Sequence, residues 1–336
     1  VAKRLVFSQP VGIDRESSAL RSLRSLRAEL TVGIMFWLDH PSYKFASDRL
    51  VKYLQAEKYR FRRLPPIIFL CGAMNSPARD TLNHYLNKYR PDLPLFYAER
   101  VWNEIATSTE LNALEMEAYL AALADVLIIL VESPGTFAEL GAFSLSDALR
   151  KKLLPVLDVR FRNQHSFLET GPVRWINADS DYRPPVYVDL RKILEAIDQI
   201  EERLDRIPSA KPTKVEDLAQ SPKHLLFFMC DLLAIIEPAT SDMIGHYIER
   251  IVPTVTKRQI TTLVGLGSAM RLLTPAQLTL DGVTGTFYYR PEEDALTRPF
   301  HHKMLQDLPT QRAAQMSVLL TIPQATQALR ELGNLL

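Results

Sequence analysis

The sequence predicts an α/β protein, a doubly wound parallel sheet followed by a smaller winged-helix-type α+β domain. Three observations carry that expectation. Short apolar runs without polar alternation, clearest in DVLIILV (125–131), are the signature of strands buried on both faces. Helical patterns separate these runs, and alternation of strand with helix builds parallel sheets with helices on both faces. Beyond residue 223, three helical segments lead into LTLDGVTGTFYYR, where Asp281-Gly282 supplies a hairpin turn signal; three helices and a hairpin outline a winged helix.

The elements follow in order. Residues 14–60 read as helical, because Leu20, Leu23, Leu26 and Leu30 recur at near-helical spacing and SALRSLRSLRAEL contains no Gly or Pro. Arg21, Arg24 and Arg27 form a neighbouring stripe, either a solvated face or a contact for phosphate or an acidic partner. From Pro65 the texture changes: PIIFLCG (66–72) reads as a strand, 77–89 as a helix, LPLFYA (93–98) as a strand and 110–122 as a helix. After the strand at 125–131 come a helix from about Thr136 to Lys151, the strand KLLPVLD, a loop region 159–184, and PPVYVDL leading into a helix 189–206. IPSAKPTKVEDLAQSPK (207–223), with three prolines and little apolar material, reads as a linker. Helices are expected at 224–236, 240–251 and 256–273, then the hairpin. The expected division is a helical extension 1–64, a sheet domain 65–206, the linker, a winged-helix-type domain 224–291 and a partly helical tail 292–336.

Composition narrows the function. With 336 residues, 47% hydrophobic and 24% charged, the chain suits about two globular domains. Its 40 basic and 39 acidic side chains leave a net charge of +1, so any nucleic-acid contact is local. Cys71 and Cys230 both lie in apolar runs, as buried thiols of a reducing compartment do. TVGIMFWL is far too short to span a bilayer and the start lacks a signal-peptide pattern, so no membrane partner and a cytoplasmic location are expected. The seven histidines, with His301-His302 adjacent, form no H-E-x-x-H or Cys/His cluster, and neither a Walker motif nor a G-x-S-x-G elbow is present. Neither a metal nor a cofactor is expected.

Ligands of parallel sheets bind beyond the carboxyl ends of the strands, so Gly72, Tyr97 and the loop 132–139 should converge on one cleft. Thr136-Phe-Ala-Glu139 fits the S/T-x-x-E pattern that caps a helix, yet a glutamate just past a buried strand is also where such enzymes keep a nucleophile. Glu132 follows the strand, and Ser133-Pro134-Gly135 makes a tight turn that lets a ligand approach the backbone beside the helix N–H groups of Thr136 and its neighbours. Of Phe96 and Tyr97, one should face the core and the other could stack on a flat ligand. Glu110, Glu115 and Glu117 on the preceding helix are either a wet face or, in part, site residues. Lys257 and Arg258 open the third helix of the second domain and could reach phosphates or contact a protein.

Taken together, FLCG, FYAE, DVLIILVESPGTFAELGAF, KLLPVLD and GPVR (171–174) closely resemble the toxic effectors of bacterial retrons. Those effectors join a nucleoside deoxyribosyltransferase-like domain to a winged-helix-type domain. The likeness covers roughly residues 66–176. It implies that Glu139, in Ala-Glu139-Leu-Gly141, is the nucleophile that attacks an anomeric carbon. It also singles out Glu117, eight positions before Asp125, as a second site acid. Ser133 stands where the transferases carry another aspartate, which favours hydrolysis over transfer, and Glu132 is the adjacent acid. The resemblance implies cleavage of a nucleotide N-glycosidic bond with NAD as the expected substrate. The expected partners are a reverse transcriptase and its RNA-linked DNA, in an oligomer or filament.

Overall fold

The computed structural model describes residues 36–55, 64–93, 95–97, 119, 122–209, 213–290 and 307–335. Arg21, Arg24, Arg27, Trp102, Glu110, Glu115, Glu117 and the His301-His302 pair lie outside the described residues.

Five strands form one sheet: β1 (Ile68–Cys71), β2 (Leu95–Tyr97), β3 (Val126–Val131), β4 (Leu153–Asp158) and β5 (Val186–Val188), in the order β2-β1-β3-β4-β5. Every pairing is parallel, with Ile68 opposite both Leu95 and Val126, Val131 opposite Leu157, and Asp158 opposite Val188. β1, β3 and β4 are buried along their whole length, which is why they read as unbroken apolar runs. Successive side chains point to opposite faces. Ile68, Leu70, Ile128, Leu130, Leu154, Val156, Val186 and Val188 therefore share one face, covered by Ala78, Leu82 and Leu86 of helix Pro77–Tyr89 and by Ile193, Ile200 and Leu204. Helix Pro134–Leu145 covers the other face with Leu140 and Phe143.

The amino end of the sheet is tied by polar groups. Asp125 Oδ2 accepts the Ile67 amide at 2.7 Å and the Lys223 ammonium at 2.5 Å, while the Tyr182 hydroxyl donates to the Asp125 carbonyl at 3.0 Å. Lys223 belongs to helix Pro222–Ile236, so this knot fastens the C-terminal helices to the base of β3. The proline-rich stretch before it is not wholly extended: Val215–Gln220 forms a 3₁₀ turn that buries Leu218.

Helices Pro222–Ile236, Ser241–Ile251 and Lys257–Ala269 are followed by the predicted hairpin, β7 (Thr274–Leu280) and β8 (Val283–Tyr289). Asp281 and Gly282 take φ of 51° and 80°, the paired positive values that a two-residue hairpin turn needs. A short strand, β6 (Ala239–Thr240), joins on the other side of β8, completing an antiparallel sheet ordered β6-β8-β7.

Helix Pro41–Gln55, read from sequence as part of an N-terminal extension, packs into this C-terminal layer. The Tyr247 hydroxyl donates to that of Tyr43 at 3.1 Å, Arg250 pairs with Asp48 at 2.5 Å, and Gln315 Nε2 donates to the Ala46 carbonyl at 3.1 Å. Trp37 stacks on Phe287 with centroids 5.8 Å apart. Residues Trp37 to Leu336 thus cluster as one unit.

Candidate active site

Strand order reverses between β1 and β3, so their connections leave the sheet in opposite directions and open a crevice at its carboxyl edge. β1 ends at Cys71; Gly72 and the loop to Ser76 follow, with Asn75 at φ 59°, a left-handed value that asparagine tolerates. Ser76 caps helix Pro77–Tyr89 by accepting from the Arg79 amide at 3.1 Å. β3 ends at Val131, and Glu132 reaches back across the crevice so that its Oε1 accepts the Ala73 amide at 3.0 Å. That bond joins the two loops. Gly72 fits closely beneath it: a Cβ there would lie 3.0 Å from Arg79 Cδ and 3.3 Å from Glu132 Oε1, so both side chains would have to shift by a few tenths of an ångström.

Helix Pro134–Leu145 starts earlier than the S/T-x-x-E pattern implied, and the cap is corrected accordingly. Ser133 is the N-cap and accepts the Thr136 amide at 3.3 Å, while the Thr136 hydroxyl accepts the amides of Ser133 and Glu132, each at 3.0 Å. Proline at the first helical position, which needs no N–H donor, sets the start at Pro134. Thr136 is buried and its hydroxyl serves the cap. Gly135, in the first turn, is exposed, and a Cβ there would meet only Ser133 Oγ at 3.8 Å. Glu139 therefore takes no part in the cap. It stands in the second turn, half-buried, with Oε2 shielded from solvent. The helix field weakens past the first turn, so less of it acts on Glu139 than a cap position would feel.

On the β2 side, Phe96 is buried against Phe69 with centroids 6.2 Å apart, leaving Tyr97 as the aromatic at the edge. The Arg79 guanidinium lies 4.7 Å over the Tyr97 ring, and the Tyr97 hydroxyl donates to Asp80 at 3.4 Å. Arg79 and Asp80 were missed from sequence, although Ser76-Pro77 is a helix-start signal that would have put Arg79 in a first turn at the crevice. Contacts bring together Gly72, Arg79, Tyr97 and Glu132, while Ser133 and Glu139 follow Glu132 in the cap and second turn of helix Pro134–Leu145.

Two further pairs border the carboxyl edge. After β4, Asp158 accepts the Arg160 amide and Nε, each at 2.9 Å, and Nη2 at 3.1 Å. After β5, Asp189 accepts the Arg191 amide at 3.1 Å, Nε at 3.0 Å and Nη2 at 2.8 Å. The bonds from Arg160 hold the Asp158 carboxyl below the usual carboxylate range, and those from Arg191 hold Asp189 at about 2. Phe161 meets Phe137 of helix Pro134–Leu145 edge-on, with centroids 5.5 Å apart. Farther along β5, a cavity of about 540 Å³ opens beside Tyr187, whose hydroxyl donates to Glu169 at 2.6 Å.

Lys257 pairs with Asp242 at 2.8 Å, and Arg258 follows it in the first turn of helix Lys257–Ala269. Among the described residues no group of three or more His, Cys, Asp or Glu side chains could hold a metal ion, and no helix is long and apolar enough to cross a membrane.

A parallel sheet with a loop clamp, two capped helix starts and a half-buried glutamate at its switch point defines an α/β protein with its candidate site at the carboxyl edge. Residues 75–275 match the STM3845 retron effector protein family, and the chain belongs to it. It is also similar to two proteins of Escherichia coli. One is the "Retron Ec86 putative ribosyltransferase/DNA-binding protein", 39% identical over 120 residues, covering 34% of this chain and 39% of that protein. The other is the "Retron Ec73 putative ribosyltransferase/DNA-binding protein", 40% identical over 121 residues, covering 34% and 38%. The similarity thus spans well under half of either relative.

Proposed function

We propose that this protein is a retron defence effector that hydrolyses the N-glycosidic bond of a nucleotide, NAD being the expected substrate, through Glu139. The observation that carries the reading is the placement of a half-buried carboxylate in the second turn of the helix that follows β3, at the switch point of the sheet. The names of the two Escherichia coli relatives describe ribosyl transfer, a reaction at the same anomeric carbon. The sheet domain is read as nucleoside deoxyribosyltransferase-like.

In this mechanism Glu139 attacks the anomeric carbon, forming a carboxylate ester as the C–N bond breaks and its electron pair leaves with the base. Water then attacks the same carbon, giving up a proton as the ester bond breaks and Glu139 is regenerated. Tyr97, braced by Arg79, offers a flat face to the base, and Ser133-Pro134-Gly135 lets the sugar side approach the backbone. Glu132 holds the crevice in shape through Ala73. Glu117 is proposed to orient the ribose or move a proton. Ser133, occupied in the cap, supplies no second carboxylate to direct an incoming base, which favours water as the acceptor.

The test is nicotinamide release from NAD by the full chain. Glu139→Gln is expected to lower the rate by at least about a thousand-fold at unchanged melting temperature. Retained release in that variant would overturn the assignment.

A second role, nucleic-acid contact by the C-terminal layer, is favoured by its three helices and hairpin, which follow a winged-helix outline, and by the DNA-binding half of the relatives' names. Lys257 and Arg258 are the cations for it, with Arg21, Arg24 and Arg27 as a further stripe. Strongly salt-dependent DNA binding that weakens in Arg258→Ala would support it; salt-independent binding would assign this surface to protein. The proposed setting is cytoplasmic, with a reverse transcriptase and its RNA-linked DNA as partners in an oligomer or filament.

A further inference from the structure

We propose that Arg160 and Arg191 form an anion subsite that receives the diphosphate of a dinucleotide and so selects it over a nucleoside. The inference rests on the reading of Glu139 as the centre of glycosidic chemistry. It adds the residues that would recognise the far side of the substrate.

Asp158-Val-Arg160 and Asp189-Leu-Arg191 are the same device used twice, at the carboxyl ends of adjacent strands. In each, the aspartate accepts the backbone amide two residues on and grips the guanidinium through Nε and Nη2. A guanidinium has five N–H donors in a rigid fork, so two are used and three remain on each arginine, pointing outward. Burial gives the pair its polarity: the side chains of Asp158 and Asp189 are 11% and 26% exposed, those of Arg160 and Arg191 78% and 89%. The negative ends lie beneath and the positive ends face water. Exposed ion pairs add little to stability, so fixing two long side chains in this way is poorly explained as a folding device. What it does achieve is preorganisation, because the rotamer entropy that an anion would otherwise have to remove is already lost.

The position fits an elongated ligand. Gly72, Ser133, Arg160 and Arg191 follow β1, β3, β4 and β5, which are neighbours in that order. Adjacent strands are about 4.8 Å apart, so the row advances by roughly that distance per residue. A sugar held at Gly72 and Glu139 would pass the N-terminus of helix Pro134–Leu145 and meet Arg160, then Arg191. The Phe161–Phe137 contact fixes the Arg160 loop to that same helix. β4 and β5 pair directly, with Asp158 opposite Val188, so the two exposed guanidiniums follow neighbouring strand ends.

The experiment uses the full chain carrying Glu139→Gln, which binds without turnover, and calorimetric titration with ADP-ribose, adenosine and inorganic pyrophosphate. ADP-ribose affinity should fall about 5- to 30-fold on Arg160→Ala or Arg191→Ala and further in the double variant. Adenosine affinity should hold within about twofold, and pyrophosphate should compete with ADP-ribose only when both arginines are present. Arg160→Lys, which keeps charge but loses the fork, should recover part of the loss. Unchanged ADP-ribose binding in the double variant, or an equal fall for adenosine, overturns the proposal. Binding here is read without turnover. Absence of base release from NAD with both arginines in place would defeat the glycosidic reading alone, while arginine-dependent ADP-ribose binding would still stand.

Discussion

Truncating Glu132 to alanine removes the acceptor that the Ala73 amide uses at 3.0 Å, and with it the bond between the two loops of the crevice. A hydrogen bond to a charged group contributes about 1.5–3 kcal/mol, and competition from water at a half-buried carboxylate brings the expected loss to about 1–2 kcal/mol. At roughly 2–4 °C per kcal/mol for chains of this order, the melting temperature should fall by about 2–8 °C. Glu132→Gln keeps a carbonyl oxygen for Ala73 and gives up only charge, so its loss should stay below about 1 kcal/mol. Urea denaturation followed by tryptophan fluorescence measures both, and hydrogen exchange at the Ala73 amide reports the bond directly. If glutamine costs as much as alanine, or Ala73 exchanges no faster in Glu132→Ala, Glu132 is not a clamp. Its charge would then act on something else in the crevice.

At the opposite end of the sheet, Asp125→Ala strands the Ile67 amide and the Lys223 ammonium, for an expected loss of about 2–4 kcal/mol; Asp125→Asn, which can still accept from Ile67, should cost about half as much. Equal stability of Asp125→Ala and wild type in urea would refute that knot. Burial pushes the Cys230 thiol up to about 12 from an ordinary 9.0, so native protein should resist alkylation at pH 8 to 9 and react once unfolded. The same shift means that the folded state holds a proton the unfolded chain loses. Its contribution to stability is complete below pH 9 and declines as pH rises toward about 12; a flat denaturation midpoint across that window would count against it.

Much of the sheet was legible because its strands are short apolar runs, and a run such as Val126–Val131 can only be satisfied by burial on both faces. The hairpin was legible for a different local reason: Asp281-Gly282 takes the positive φ values that few other residues tolerate. The helix after β3, expected from about Thr136 to Lys151, starts two residues earlier at Pro134 and ends at Leu145, where extended Ser146 separates it from a short helix Asp147–Arg150. Thr136 and Glu139 matched one capping pattern while Ser133 and Pro134 matched another, and spacing could not choose between them. Helix Pro41–Gln55 lies within the segment 14–60 that reads as helical. Its partners, Tyr247, Arg250 and Gln315, lie 204, 203 and 269 residues away.

The sequence by itself determined which segments must be buried, where the chain turns, and that a carboxylate follows the third strand, because each depends on residues within one turn or one strand of each other. Only the tertiary structure decided that Glu132 holds Ala73, that Arg79 stacks on Tyr97, and that Arg160 and Arg191 leave neighbouring strands side by side. An apolar stripe or a spare carboxylate records that a partner exists. Strand order and register, set by packing over the whole sheet, record which one it is.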